Sequence, residues 1–408
     1  MTRQGPLVAL AAASVASIGG TRVSTIAIPW LVLTTTGSPV LTGLVGFAEM
    51  LPYVLAKALG GPLIDRIGAR RIAIWSDGLS TLAVTLVPLL FWAGLLSIWA
   101  LLPTVALIGV LRAPSDAAKQ ALAPAIAALG QVPIERVTGV MGASDRLAGT
   151  LGAATAGALI ALLGPAPALL VNAAAFCLSG MIMALGVPAA QTKAPPREAA
   201  SSYRSELAAG WTVLHSDPVL RSLVIMIAIT NLFDQAYAMV MLPVWVQRAG
   251  LDVTWVGIFL ATFSATSILG AAIAAAIGHR LPRMAIYTIG FLFAGPMPMA
   301  IFALNAPLAV IVAVLLVSGF AAGFLNPIIG AILFERIPAA MVGRVIALFG
   351  ALAWGLMPFG GLFAGVLIDN WGIAVALGVT GLLYLFATLS PLAVPSFRQM
   401  NRKRLDAV

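Results

Sequence analysis

The sequence predicts an all-α membrane protein of twelve transmembrane helices in two pseudo-symmetric six-helix bundles. Three observations carry that prediction. The 408 residues are 61% hydrophobic and only 9% charged, with a mean hydropathy of +1.04. Twelve apolar runs of spanning length follow one another. The loops joining them alternate between basic and nearly uncharged.

A soluble domain carries about 25% charged residues, so a chain this poor in charge needs lipid to solvate its surface. A spanning helix needs about 20 mostly apolar residues. Such runs occur at 7–34, 41–64, 72–93, 98–118, 137–163 and 167–187, then at 219–245, 253–278, 284–304, 307–333, 343–368 and 372–394. The first is too long for a signal-peptide core and no convincing cleavage site follows, so it reads as an uncleaved helix. The polar stretch Ala189 to Asp217 divides the runs six and six. The expected organisation is an N-terminal bundle 1–188, a cytoplasmic linker 189–217, a C-terminal bundle 218–396 and a basic cytoplasmic tail 397–408. Ser202 to His215 reads either as plain linker or as a short amphipathic helix on the membrane surface.

The net charge of +9 is spread over loops and termini rather than gathered on one face, which argues against nucleic acid as a partner. One set of loops and termini holds Arg3, Arg66, Arg70, Arg71, Lys119, Arg136, Lys193, Arg197, Arg204, Arg221, Arg280, Arg283, Arg336, Arg344, Arg398, Arg402, Lys403 and Arg404. The opposite loops hold little besides Arg248. By the positive-inside rule, the first side and both termini are cytoplasmic. The lone Cys177 and the two histidines, His215 and His279, leave no disulfide and no histidine-ligated metal centre to expect. No Walker loop, GxSxG or HExxH occurs, so neither ATP-driven pumping nor enzyme chemistry is expected, and no cofactor is called for.

The segment GGPLIDRIGARR places Gly61, Leu63, Asp65, Arg66, Gly68, Arg70 and Arg71 on the pattern G-x-L-x-D-R-x-G-R-R. This resembles the loop two-three signature of the major facilitator superfamily. The resemblance extends through 20–33, 112–124, 145–160 and 334–345 to the bacterial macrolide, multidrug and siderophore exporters within it. It implies the major facilitator fold, alternating access, and export of amphipathic molecules by proton antiport. It also implies a conformational latch of Gly61, Asp65, Arg66, Gly68, Arg70, Arg71 and Arg344, with Asp65 capping the helix that starts near Arg344. Helix five keeps Gly149, Gly152 and Gly157 of the antiporter pattern, with Ala153 at its proline position, and Thr21 stands where a helix-one acid is common.

An ionisable group in the hydrocarbon costs about 2.5–3.5 kcal/mol or more, so it faces a cavity or a partner. Arg22 and Asp234 each lie about 15 residues into their helices, roughly 22 Å deep at 1.5 Å per residue. They are expected to face one another, with Glu49 as the other natural partner of Arg22. Arg112 either assists proton transfer or bonds a carboxylate on a neighbouring helix. Lys57, Asp77, Asp116, Asp145 and Arg146 read as snorkelling or bridging groups. Asn231, Asp234 and Gln235 share one helical face. With Tyr237, Trp30 and Asn326 they are the candidate cargo contacts, while Asp234, Glu49, Arg22 and Arg112 are the candidate coupling groups. The expected function is proton-coupled efflux of small amphipathic molecules by a monomer in the bacterial cytoplasmic membrane. An importer or uniporter of a nutrient is the alternative, and a membrane receptor or enzyme a more distant one.

Overall fold

The computed structural model describes residues 4–189, 203–338 and 341–401. Among them, eleven helical segments are long and apolar enough to cross a membrane. The first ten are α1 (Gly5–Thr36), α2 (Pro39–Leu59), α3 (Ala69–Trp92), α4 (Ile98–Gly130), α5 (Arg136–Leu163), α6 (Pro165–Gly186), α7 (Pro218–Arg248), α8 (Thr254–Ile277), α9 (Arg283–Ala303) and α10 (Leu308–Arg336). The eleventh, Arg344–Ala393, holds 50 residues. A straight helix of that length would run about 75 Å, against a hydrocarbon core of about 30 Å. Gly372 breaks it, with φ 78° and ψ 168°, a region that glycine enters without a Cβ penalty. The segment is therefore two spans, α11 (344–371) and α12 (373–393), and the total is twelve. The chain is an integral membrane protein.

The chain resolves into two compact units, Met1–Arg197 with Leu242–Ala261, and Glu198–Met241 with Thr262–Val408. In the first, α1 lies along α5 and α6, and α4 packs against both α2 and α3. Leu10, Ile72, Leu122, Ile126 and Met183 make its apolar centre at one end. In the second, a core runs through Leu220, Leu223, Tyr287, Phe291, Ile332 and Phe397. The 3₁₀ segment Pro395–Asn401 closes that core, with Phe397 and Met400 both buried. The linker forms a helix over Tyr203–Ser216 that lies against α11 and buries Leu214.

Several basic residues expected in loops belong to helices instead, and two of them are buried there. Lys119 lies in the last turn of the helix Ile98–Ala121 and Arg336 closes the helix Leu325–Arg336. Both are buried, and each has a carboxylate partner, Asp77 at 3.0 Å and Asp217 at 3.0 Å. The partner is what allows a charge to end an apolar run without leaving the helix bundle. Arg3, Lys193, Arg197, Arg402, Lys403 and Arg404 lie outside the described residues, as do 190–202 of the linker and 402–408 of the tail.

Candidate functional site

The centre of the first unit is set by a backbone contact between α2 and α4. A Cβ on Gly109 would collide with the carbonyl oxygen of Glu49, so only glycine lets the two helices approach this closely. Three residues on, one turn along α4, Arg112 reaches Glu49: Nη1 donates to Oε1 at 2.9 Å, and both side chains are buried. Glu49 thus pairs with Arg112 and not with Arg22, because helix contact and not depth decides the partner. The Arg112 guanidinium also lies 4.4 Å from the centre of the Tyr53 ring, within cation–π range. The Tyr53 hydroxyl donates to Asp116 Oδ2 at 2.9 Å and receives Lys57 Nζ at 3.4 Å. Asp116 itself comes to 4.0 Å from Arg112 Nε. Acid and base therefore alternate along a chain from Glu49 through Arg112 and Asp116 to Lys57.

A second buried network lies beside it. Asp77 accepts from Ser115 Oγ at 2.6 Å, Ser179 Oγ at 2.6 Å and Lys119 Nζ, and Lys119 also donates to Ser17 Oγ at 2.9 Å. These five residues join α1, α3, α4 and α6. Every strong hydrogen-bonding site of the carboxylate is used, which suits a fixed staple rather than a moving part.

Asp234 stands near the middle of α7 in the second unit. Its Oδ2 accepts from the Tyr384 hydroxyl at 3.3 Å. No cation lies within ion-pair distance of it among the described residues, and the residue is exposed. Its helical neighbours are more committed. Asn231 Nδ2 donates to the Ala353 carbonyl of α11 at 2.9 Å, and Gln235 Nε2 donates to Met239 Sδ at 3.3 Å. Tyr237 opens a π-helical stretch, Tyr237–Met241, packs its ring on Phe302 at 5.7 Å, and has a buried hydroxyl without a hydrogen-bond partner among the described residues. Short π segments recur at functional sites because they re-aim side chains. Trp30 is half-buried on α1 and Asn326 exposed on α10.

The expected latch divides into parts. Gly61–Ile67 is a short helix and Gly68 takes φ 96°. Arg70 donates through Nε and Nη2 to the carbonyls of Val187 and Ala184 at the end of α6, where a cation answers the helix dipole. Arg66, Arg71 and Arg344 are exposed. The side chain of Asp65 lies outside the described residues.

Sequence reasoning missed Tyr53. The signal was present, since Glu49, Tyr53 and Lys57 recur every four residues on one face of α2, and Arg112 and Asp116 do so on α4. Tyr384 carried no comparable signal, because it meets Asp234 across 150 positions of sequence.

Comparison with known proteins agrees with this architecture. The multidrug efflux pump Tap of Mycolicibacterium fortuitum is 27% identical over 406 residues, covering 98% of both chains. Its namesake in Mycobacterium tuberculosis H37Rv is 28% identical over 408 residues, covering 98% of this chain and 96% of that one. Among solved structures, a bacterial homologue of the human lysosomal transporter Spinster superposes with a TM-score of 0.78 at 14% identity, over 100% of this chain and 99% of that one. The nucleoside transporter NupG gives 0.75 at 12% identity, over 95% of this chain and 98% of that one. These structures share the fold. The family model of the Major Facilitator Superfamily matches residues 10–360, and the chain belongs to that superfamily of membrane transporters.

Proposed function

We propose that this transporter expels amphipathic or hydrophobic small molecules from a bacterial cell in exchange for protons, and that Asp234 carries the coupled proton. The observation that carries the reading is the partnership of Asp234. A carboxyl with one hydroxyl partner and no cation changes protonation state without breaking an ion pair. Glu49 cannot lose its charge without taking from the buried Arg112 its close partner at 2.9 Å, leaving Asp116 at 4.0 Å. Asp234 is therefore the proton carrier, and the chain of charges from Glu49 to Lys57 is the polar framework of the first unit. The export direction follows the two efflux pumps that match this chain from end to end.

On this reading Trp30, Asn231, Gln235, Tyr237 and Asn326 offer polar and aromatic contacts to the cargo. Gly61, Asp65, Arg66, Gly68, Arg70, Arg71 and Arg344 act as the latch between conformations. The protein works as a monomer in the cytoplasmic membrane with both termini inside, as the basic loops direct.

The test is a flux assay in everted vesicles whose lumen respiration has acidified. Addition of a transported compound should release protons and dequench a pH-gradient dye. Asp234→Asn should abolish the dequenching. If no amphipathic compound moves protons in the wild type, or if the asparagine variant behaves like it, the reading is wrong.

A further inference from the structure

Arg22 is a cation for which the first unit supplies no counter-ion. It lies near the middle of α1, a helix of 32 residues, and it is exposed. The other deeply placed cations of this unit are answered: Arg112 by Glu49, Lys119 by Asp77, Lys57 by the Tyr53 hydroxyl. Among the described residues no carboxylate comes within ion-pair distance of Arg22. Its charged neighbour is Arg112, another cation.

The helix beside it is shaped to present this side chain. A Cβ on Gly152 would come within 3.0 Å of both Cβ and Cγ of Arg22, and one on Gly149 within 3.6 Å of Nη2. The aliphatic stem of Arg22 thus lies along the glycine face of α5. Its guanidinium lies beside Gly149, and its donors have no hydrogen-bond partner among the described residues. A planar group of five donors and no acceptor matches a carboxylate or phosphonate through two parallel hydrogen bonds. A guanidinium midway along a spanning helix faces a cavity or a partner, and an anionic occupant supplies the charge partner that the first unit does not.

We infer that Arg22 is an anion-recognising position of the transport site and takes a carboxylate, phosphonate or sulfonate group of the cargo. The inference rests on the transport reading above and names the chemical class it carries: amphiphiles with an anionic head.

Three probes of one skeleton test it: pyrenebutyrate, its methyl ester and a pyrenebutyl-trimethylammonium salt. Each is followed by extrusion from cells that lack their own pumps and by calorimetric binding to the purified full chain. Arg22→Gln and Arg22→Ala should cut extrusion and affinity for the carboxylate about tenfold or more, and leave the ester and the cation within about twofold. Arg22→Lys should keep part of the carboxylate preference. Equal loss for all three probes would overturn the inference, as would unchanged handling of the carboxylate. So would rescue of Asp234→Asn by Arg22→Gln, since the partner of the arginine would then be a carboxylate of the chain itself. Should the wild type bind the carboxylate through Arg22 yet extrude none of the probes, the export reading fails and the subsite stands.

Discussion

Nη1 of Arg112 stands 2.9 Å from Oε1 of Glu49, with side-chain exposures of 6% and 4%. Two charges this well removed from water depend on each other for most of their stabilisation, with Asp116 at 4.0 Å the other carboxylate near Arg112. Removing one partner of such a pair costs about 3–5 kcal/mol, whereas replacing both by apolar groups is often close to neutral. Glu49→Gln should therefore destabilise the purified protein by several kcal/mol. The double variant Glu49→Leu with Arg112→Met should recover much of that loss. Unfolding in detergent, followed as a double-mutant cycle, measures the coupling. Additive effects would show that the pair is not a unit.

Asp234 makes the opposite case. Its only side-chain hydrogen bond among the described residues is the one from Tyr384 at 3.3 Å, so its neutral amide analogue fits the same place. Asp234→Asn should leave thermal stability within about 0.5 kcal/mol, the range of a substitution that breaks no special feature. Substrate counterflow, which needs no net proton movement, should persist. Transport driven by a pH gradient should fall to background. A variant that loses counterflow as well would place Asp234 in cargo binding rather than in coupling.

The number of spans and the turn between the last two were legible in the sequence, because bilayer thickness fixes how long an apolar run must be. The run beginning at residue 372 marks the same glycine at which the backbone breaks. Pairing was not legible. Arg22 and Glu49 lie at similar depth, but the hydrogen bond goes to Arg112, since Gly109 brings α4 against α2. Lys119 looked like the edge of a loop because hydropathy counts a charge the same way whether or not a carboxylate awaits it. The residues of a membrane protein that pair are set by which helices touch, and that information lies in small residues such as Gly109 rather than in the charges.

Lys119 and Asp77 are 3.0 Å apart with side-chain exposures of 4% and 0%. Lys119→Met should leave Asp77 buried with only hydroxyl partners and cost about 3–5 kcal/mol. Asp77→Asn added to it should restore part of the stability, since the amide oxygen accepts from one of Ser115 and Ser179 while its NH2 donates to the hydroxyl oxygen of the other. Neither change alters the exposed face that carries Arg22. The double variant should therefore transport at near the wild-type rate once folded, read as flux per reconstituted molecule. Loss of flux in a well-folded double variant would give the network a part in transport beyond joining four helices.

Gly372 joins α11 to α12 with φ at 78°. With ψ at 168° this is a region that essentially only glycine enters, so an alanine there should cost about 1–3 kcal/mol. Asparagine is tolerated in the left-handed helical region at ψ of about +47° and not in this one, so Gly372→Asn and Gly372→Ala should both lower stability relative to glycine. Comparable losses of melting temperature in both variants isolate the backbone contribution, because a purely steric site would leave the smaller alanine well above asparagine. The two spans on either side of the turn also pack by different faces within the second unit, α11 beside the linker helix and α12 through Tyr384 beside Asp234. If the turn only connects them, transport per folded molecule should be unchanged in both variants. If its strain tilts α12, Gly372→Ala should weaken proton coupling before it weakens counterflow, through the hydrogen bond from Tyr384.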